Sequence, residues 1–267
     1  MDDRYVVIGY GQLALAALLM VVNLSLSVVL RLGLERTLAL ATVRMVTQLL
    51  LIGFVLEWLF AQENPFTILA ISLVMTSIAG ISAVNRTRRR FVGLYWNSLL
   101  SVLVASGLVT SFALLGVLQV QPWYSPQYLI PLLGMVLGNT LNGISLSLDR
   151  FMESLVNQRD QIETWLTLGA TRWEAAHSQV REAIRVGMIP TINSMMVMGL
   201  VSLPGMMTGQ ILAGANPIDA VRYQIMIVFM IAAGAAIGIF SVVLLAFRTL
   251  FSPDHQLRLD RLTKAQS

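Results

Sequence analysis

Apolar residues run along this chain in about seven long blocks separated by short polar stretches, at roughly 8–30, 38–60, 66–84, 94–118, 128–148, 188–213 and 222–247. At 1.5 Å per residue, each can cross a hydrocarbon layer of about 30 Å as a helix. In lipid the backbone must satisfy its own hydrogen bonds, so the spanning elements are expected to be helical. The longest polar interruption, about 149–187, carries too many charges to cross. The expectation is an all-α polytopic membrane protein, one transmembrane domain over 1–267 with about seven spans. A long helix–turn–helix elbow would join spans 5 and 6.

The elbow has its own signals. Between Leu129 and Leu168 no proline follows Pro131, and Gly143 is the last glycine before Gly169. This predicts one helix leaving the membrane and continuing beyond it, about 60 Å in all. Gly169 suits the residue just past a helix end. Thr171 and Glu174 form a capping box that opens the next helix. There Trp173, Ala176, Val180 and Ile184 recur at helical spacing, with Arg172, Glu174, Arg181 and Glu182 elsewhere. Such a helix could lie on the headgroups, or the elbow could be a rigid stalk that passes force to a soluble motor.

Composition sharpens the class. The chain is 56% hydrophobic and 12% charged, against roughly 25% charged in soluble domains. Its net charge of +4 sits in arginines beside the apolar blocks, a pattern that orients a membrane protein rather than one that binds nucleic acid. Arg31, Arg36, Arg86, Arg88, Arg89, Arg90, Arg150, Arg159, Arg172, Arg181, Arg185, Arg248, Arg258, Arg261 and Lys264 fall on one side; Arg4 and Arg222 fall on the other. The N-terminus is expected outside and the C-terminus in the cytoplasm. The first apolar block is too long for a signal peptide and is read as a span. Cysteine is absent, which removes disulfides, thiolate metal sites and a catalytic thiol. The only lysine, Lys264, lies in no glycine-rich loop, so no phosphate-binding loop can be built. ATP and Mg, if used, would bind another polypeptide, and no cofactor is expected here.

Polar residues inside the apolar blocks are the candidates for a transport path. Ser202, Pro204 and Gly205 interrupt the sixth block, where proline removes a donor and bends or breaks a helix. Asn193, Thr208 and Gln210 share that block. A break would face protein or a water-filled route; a plain kink is the alternative. Arg44 and Gln48 lie one turn apart in the second block, and Arg44 could instead snorkel. Asn139 and Asn142 follow Gly134-x-x-x-Gly138, a close-packing pattern repeated at Gly205/Gly209 and Gly234/Gly238. Among the clustered methionines, Met206 and Met207 are the metal candidates, since thioethers suit soft ions; gap filling is the competing reading. Glu57 and Glu63 fall near the outer face and are read as solvated. His177 and His255 have no evident partners. No constellation of catalytic residues is present.

LGATRWEAA, then IPTINSMMVMGLVSLPGMMTGQILAG and DAVRYQIMIVFM, resemble the FetB-type iron-export permeases, a small ABC exporter family that also includes plant aluminium-tolerance permeases. The resemblance implies a plasma- or inner-membrane permease that works as a homodimer with a separate ATPase subunit and exports iron or another metal ion. It also implies that Leu168, Gly169, Ala170, Thr171 and Glu174 dock into the ATPase. Here Glu174-Ala175-Ala176 follows Gly169, whereas in the importer loop the EAA run precedes the glycine. A non-metal cargo such as a nucleotide sugar stays open. A gradient-driven transporter would want mid-membrane acids, and a membrane scaffold or lipid-modifying enzyme would not need the stalk.

Overall fold

The computed structural model describes residues 8–61 and 64–264. Glu63 and Arg4 lie outside the described residues. The chain folds as α1 (Tyr10–Val29), α2 (Glu35–Phe60), α3 (Pro65–Asn85), β1 (Arg89–Phe91), α4 (Leu94–Ser111) with a π-helical extension (Phe112–Val117), and α5 (Pro126–Asn157). There follow α6 (Arg159–Thr167), α7 (Arg172–Val197), α8 (Gly205–Leu212), α9 (Pro217–Leu250) and β2 (Leu262–Lys264). Local chemistry explains several starts. Asn64 accepts from the Phe66 N–H with Pro65 in the first turn, and Asn216 does the same for Ile218 before Pro217. Both place proline where its missing N–H costs nothing.

Among the described residues, six helices are long and apolar enough to cross a membrane: α1, α2, α3, α4 with its extension, α5 and α9. The expected sixth block, 188–213, is not one helix. Its first part is the end of α7, which begins at Arg172 in the polar stretch and runs unbroken through Pro190 to Val197. Residues 198–204 turn, and α8 resumes at Gly205. The polar and apolar halves of α7 are therefore one rod.

The single helix expected over 129–168 is also corrected. It breaks at Gln158, whose φ of −112° and ψ of 23° are not helical. The break is held from outside the helix: Gln179 of α7 donates Nε2 to Gln158 Oε1 at 2.7 Å. Ile162 of α6 is fully buried beyond it. Beyond the break α6 continues against α7, as α5 does, and the chain reverses only at Gly169.

The body is built on α5, packed between α7, α9, α4 and α3. Between lipid-facing helices the hydrophobic effect adds little, so close fit decides association. The fit is made by glycines. A Cβ at Gly187 would stand 2.9 Å from the Gly143 carbonyl oxygen, and one at Gly238 would stand 2.5 Å from Thr140 Cγ2. Gly234 abuts Val136 in the same way, at 2.6 Å. Of the three spaced glycine pairs, only Gly234/Gly238 makes this approach. Gly134 has no atom nearer than Met75 Cε at 3.7 Å, and Gly138, Gly205 and Gly209 have none within 4 Å. Asn142 accepts from Arg86, whereas Asn139 donates to the Met135 carbonyl of its own helix.

The short antiparallel pair β1–β2 ties the C-terminal tail to the α3–α4 connection, with Arg90 opposite Thr263. In contrast, α1 and α2 form a hairpin whose spanning windows are 6% and 0% buried.

Candidate functional site

Two features lie at opposite ends of α7. The first is the turn between α6 and α7. Leu168 ends α6 and is 77% exposed. Gly169 follows with φ at 94°, the left-handed value that lets the chain reverse in one step. Its N–H donates to the Leu166 carbonyl and that of Ala170 to Trp165, both closing the turn. Thr171 is the N-cap: its Oγ1 accepts from the Glu174 N–H, and the Thr171 N–H donates to Glu174 Oε2 at 2.8 Å. The Thr171 hydroxyl also donates to that oxygen, at 2.7 Å. These bonds hold the Glu174 carboxyl below its ordinary range, the hydroxyl first, then the backbone N–H, with a smaller pull from His255.

The histidines differ from expectation. His255 has a partner: its Nδ1 accepts the Arg172 N–H at 2.9 Å, and Arg172 Nη1 donates to the Ser252 carbonyl at 3.2 Å. The C-terminal tail thus completes the cap of α7. His177 stacks edge-on against Trp173.

The second feature is the break at 198–204. Gly199 takes φ of 86°, its N–H donates to the Ser202 carbonyl at 2.9 Å, and Pro204 sits extended as N-cap of α8. The Ser202 carbonyl is therefore paired rather than free, because the turn folds onto itself. Beneath lies a cavity of about 330 Å³, lined by Met198, Leu203, Pro204, Met207 and, from α9, Gln224 and Phe229. Gln224 is 8% exposed and its Oε1 has no partner among the described residues. Gln210 of α8 likewise leaves a buried Oε1 unpaired. A buried polar atom without a partner costs about 1–3 kcal/mol, so each is held at a price that a ligand or water would remove.

The other candidates scatter. Met207 is buried on this cavity, and Met206 packs at the edge of the core. Asn193 is exposed on α7. Arg44 and Gln48 are exposed on α2, and neither lines the cavity. Glu57 is exposed on the same helix. Gln224 was missed: it sits two residues after Arg222, and an amide there reads as the interfacial end of a span. Among the described residues no group of three or more His, Asp or Glu side chains could hold a metal.

The chain was compared with known proteins. Residues 10–251 match the model of "Uncharacterised protein family (UPF0014)". A relative from Synechocystis, "UPF0014 membrane protein slr1647", is 42% identical over 80% of this chain and 83% of its own. The Escherichia coli "Probable iron export permease protein FetB" is 32% identical over 94% of this chain and 96% of its own. The Arabidopsis "Protein ALUMINUM SENSITIVE 3" is 36% identical over 93% and 90%. No solved structure matches. With its helices, its turn and nearly all its described length inside that match, the chain belongs to the UPF0014 family of multi-pass membrane proteins.

Proposed function

We propose that this chain is the membrane subunit of an ATP-driven exporter. Two copies would span the membrane with N-termini outside, and two copies of a separate ATPase, carrying ATP and Mg, would dock on the exposed turns. The cargo would be iron or another metal ion, after the name of the Escherichia coli relative.

The observation that carries the reading is the continuity of α7. Its capped start is exposed beside Leu168, and its end is the break at Met198. A rod of 26 residues is about 39 Å long at 1.5 Å per residue. A push at Thr171 therefore arrives at the break without loss in a flexible joint. There Gly199 and Pro204 supply a hinge between α7 and α8, and the cavity lined by Gln224 lies against it. In this mechanism ATP-driven closure of the motor displaces the elbow, α7 carries the displacement, and α8 swings to open or close the cavity. The Gln224 amide oxygen holds the cargo transiently; a neutral acceptor binds a cation weakly enough to release it.

Neutral amides also suit hydrogen-bond donors such as sugar hydroxyls, which supports a second reading with a nucleotide sugar as cargo. The test is reconstitution. The permease is co-expressed with its partner ATPase, the complex weighed, and ATP-dependent loss of iron and of UDP-glucose followed from loaded vesicles. Iron efflux from a two-plus-two complex is expected. A complex with one copy of this chain, or ATP hydrolysis that moves neither cargo, overturns the proposal.

A further inference from the structure

A cavity of about 530 Å³ opens between α4, the last turns of α9 and the first turn of α7. Its charged lining is two arginines, Arg172 and Arg248. Arg248 is exposed, and among the described residues neither has a carboxylate within ion-pair distance. Arg172 is half-buried, with its guanidinium 5.9 Å from the centre of the Phe247 ring. One of its nitrogens is used by the Ser252 carbonyl. It is also the first residue of α7, where the helix dipole is positive and disfavours a cation. Two like charges in one cavity, one of them against a helix N-terminus, are balanced when an anion lies between them. Most of the remaining wall is apolar, with Leu100 and Val104 of α4 and Leu244 of α9, and Ser101 and Ser241 add two hydroxyls. Trp173 stands at the mouth, 43% exposed, a residue suited to the membrane–water boundary.

We propose that this cavity binds the phosphate of an anionic phospholipid from the leaflet at the elbow-bearing end. Arg172 and Arg248 hold the phosphodiester, and one acyl chain lies along Leu100, Val104 and Leu244. A free phosphate satisfies the arginines but leaves the apolar wall uncovered; a lipid satisfies both. The bound headgroup joins α9 to the residue that opens α7, so lipid composition bears directly on the position of the elbow.

The detergent-purified permease is titrated with phosphatidylglycerol or phosphatidylcholine, and retained lipid is counted by native mass spectrometry. The wild-type chain retains phosphatidylglycerol on the order of tenfold better, as two interfacial arginines allow. Arg248→Gln brings the ratio close to one, and Arg248→Lys restores most of it. Arg185→Gln, an exposed arginine paired with Glu182 and outside the cavity, leaves it unchanged. Equal retention of the two lipids by the wild type, or full preference surviving in both Arg248→Gln and Arg172→Gln, overturns the proposal. Displacement of phosphatidylglycerol by millimolar inorganic phosphate overturns the lipid assignment in favour of a soluble phosphate. The readout needs neither ATPase nor cargo, so it stands or falls apart from the transport reading.

Discussion

The backbone N–H of Arg172 donates to His255 Nδ1 at 2.9 Å, joining residues 83 positions apart. His255 reaches it by taking a left-handed φ of 56° on an exposed tail. The tail is anchored in turn by the β1–β2 pair. One of the orphan donors at the start of α7 is thereby satisfied from a different part of the chain.

Replacing that acceptor should loosen the elbow locally. In His255→Ala, water substitutes for the imidazole, and about 0.5–1.5 kcal/mol of local stability is lost. Amide exchange at residues 172–174 should quicken several-fold while exchange at the centre of α7 stays as before. Unchanged exchange at those residues would show that the tail does not hold the turn.

The helix crossing at Gly187 should tolerate no side chain. A Cβ there meets the Gly143 carbonyl oxygen and Ser147 Cβ, each at 2.9 Å, and backbone cannot retreat from it as a flexible side chain would. Gly187→Ala should cost about 1–3 kcal/mol and lower the Tm in detergent by several degrees. Gly138→Ala, with open space around it, should instead gain up to about 1 kcal/mol from helix propensity. Equal Tm changes in the two variants would contradict the packing described.

At Gly169 no atom lies within 4 Å of a built Cβ, so the expected penalty is purely conformational, about 1 kcal/mol for a side chain at positive φ. Gly169→Trp should insert, fold and dimerise, yet block the surface beside Leu168. ATPase activity should persist without transport. Normal efflux from this variant would remove the turn as the docking site.

Protonation of Glu174 should weaken the same cap. Its carboxyl titrates below the ordinary value of 4.5 because Thr171 bonds the charged form, and His255 adds to the effect. Stability from that pairing is present above the unfolded value and is lost as pH falls through the folded one. Protection of the first turn of α7, corrected for the intrinsic pH dependence of amide exchange, should fall as pH drops through the carboxylate range. Glu174→Gln should flatten that dependence, and a profile identical to wild type would rule out this carboxyl as its source.

The break needs two residues to maintain it. Alanine at Pro204 restores a donor but leaves Gly199 at φ of 86°, so Pro204→Ala alone should keep the turn. Gly199→Ala with Pro204→Ala should extend α7 towards α8 and abolish efflux at normal expression. Wild-type efflux from the double variant in reconstituted vesicles would reduce the break to a structural bend.

Much of this molecule was legible in one dimension because its signals are local. Apolar length located the spanning helices α1 to α5 and α9, since hydrocarbon thickness sets a minimum that few other segments meet. Gly169, Thr171 and Glu174 announced a helix end and a helix start through backbone chirality and a three-residue hydrogen bond, and both are found. Pro204 marked an interruption for the same reason. What the sequence could not carry is any relation between distant residues. Gln158 has no helix-breaking chemistry of its own; it leaves the helix because Gln179 of α7 supplies a bond and Ile162 finds a buried place. Gly143 and Gly187 belong to no spaced motif, and only the α5–α7 crossing makes them indispensable, while of the well-spaced pair Gly134 makes only ordinary contact with Met75 and Gly138 faces open room. Gln224 drew no notice in one dimension, and the fold buries it against the break. Local sterics and capping are encoded within a few residues of where they act. The crossing points, the break at Gln158 and the unpaired amides depend on which surfaces meet, and only tertiary packing decides that.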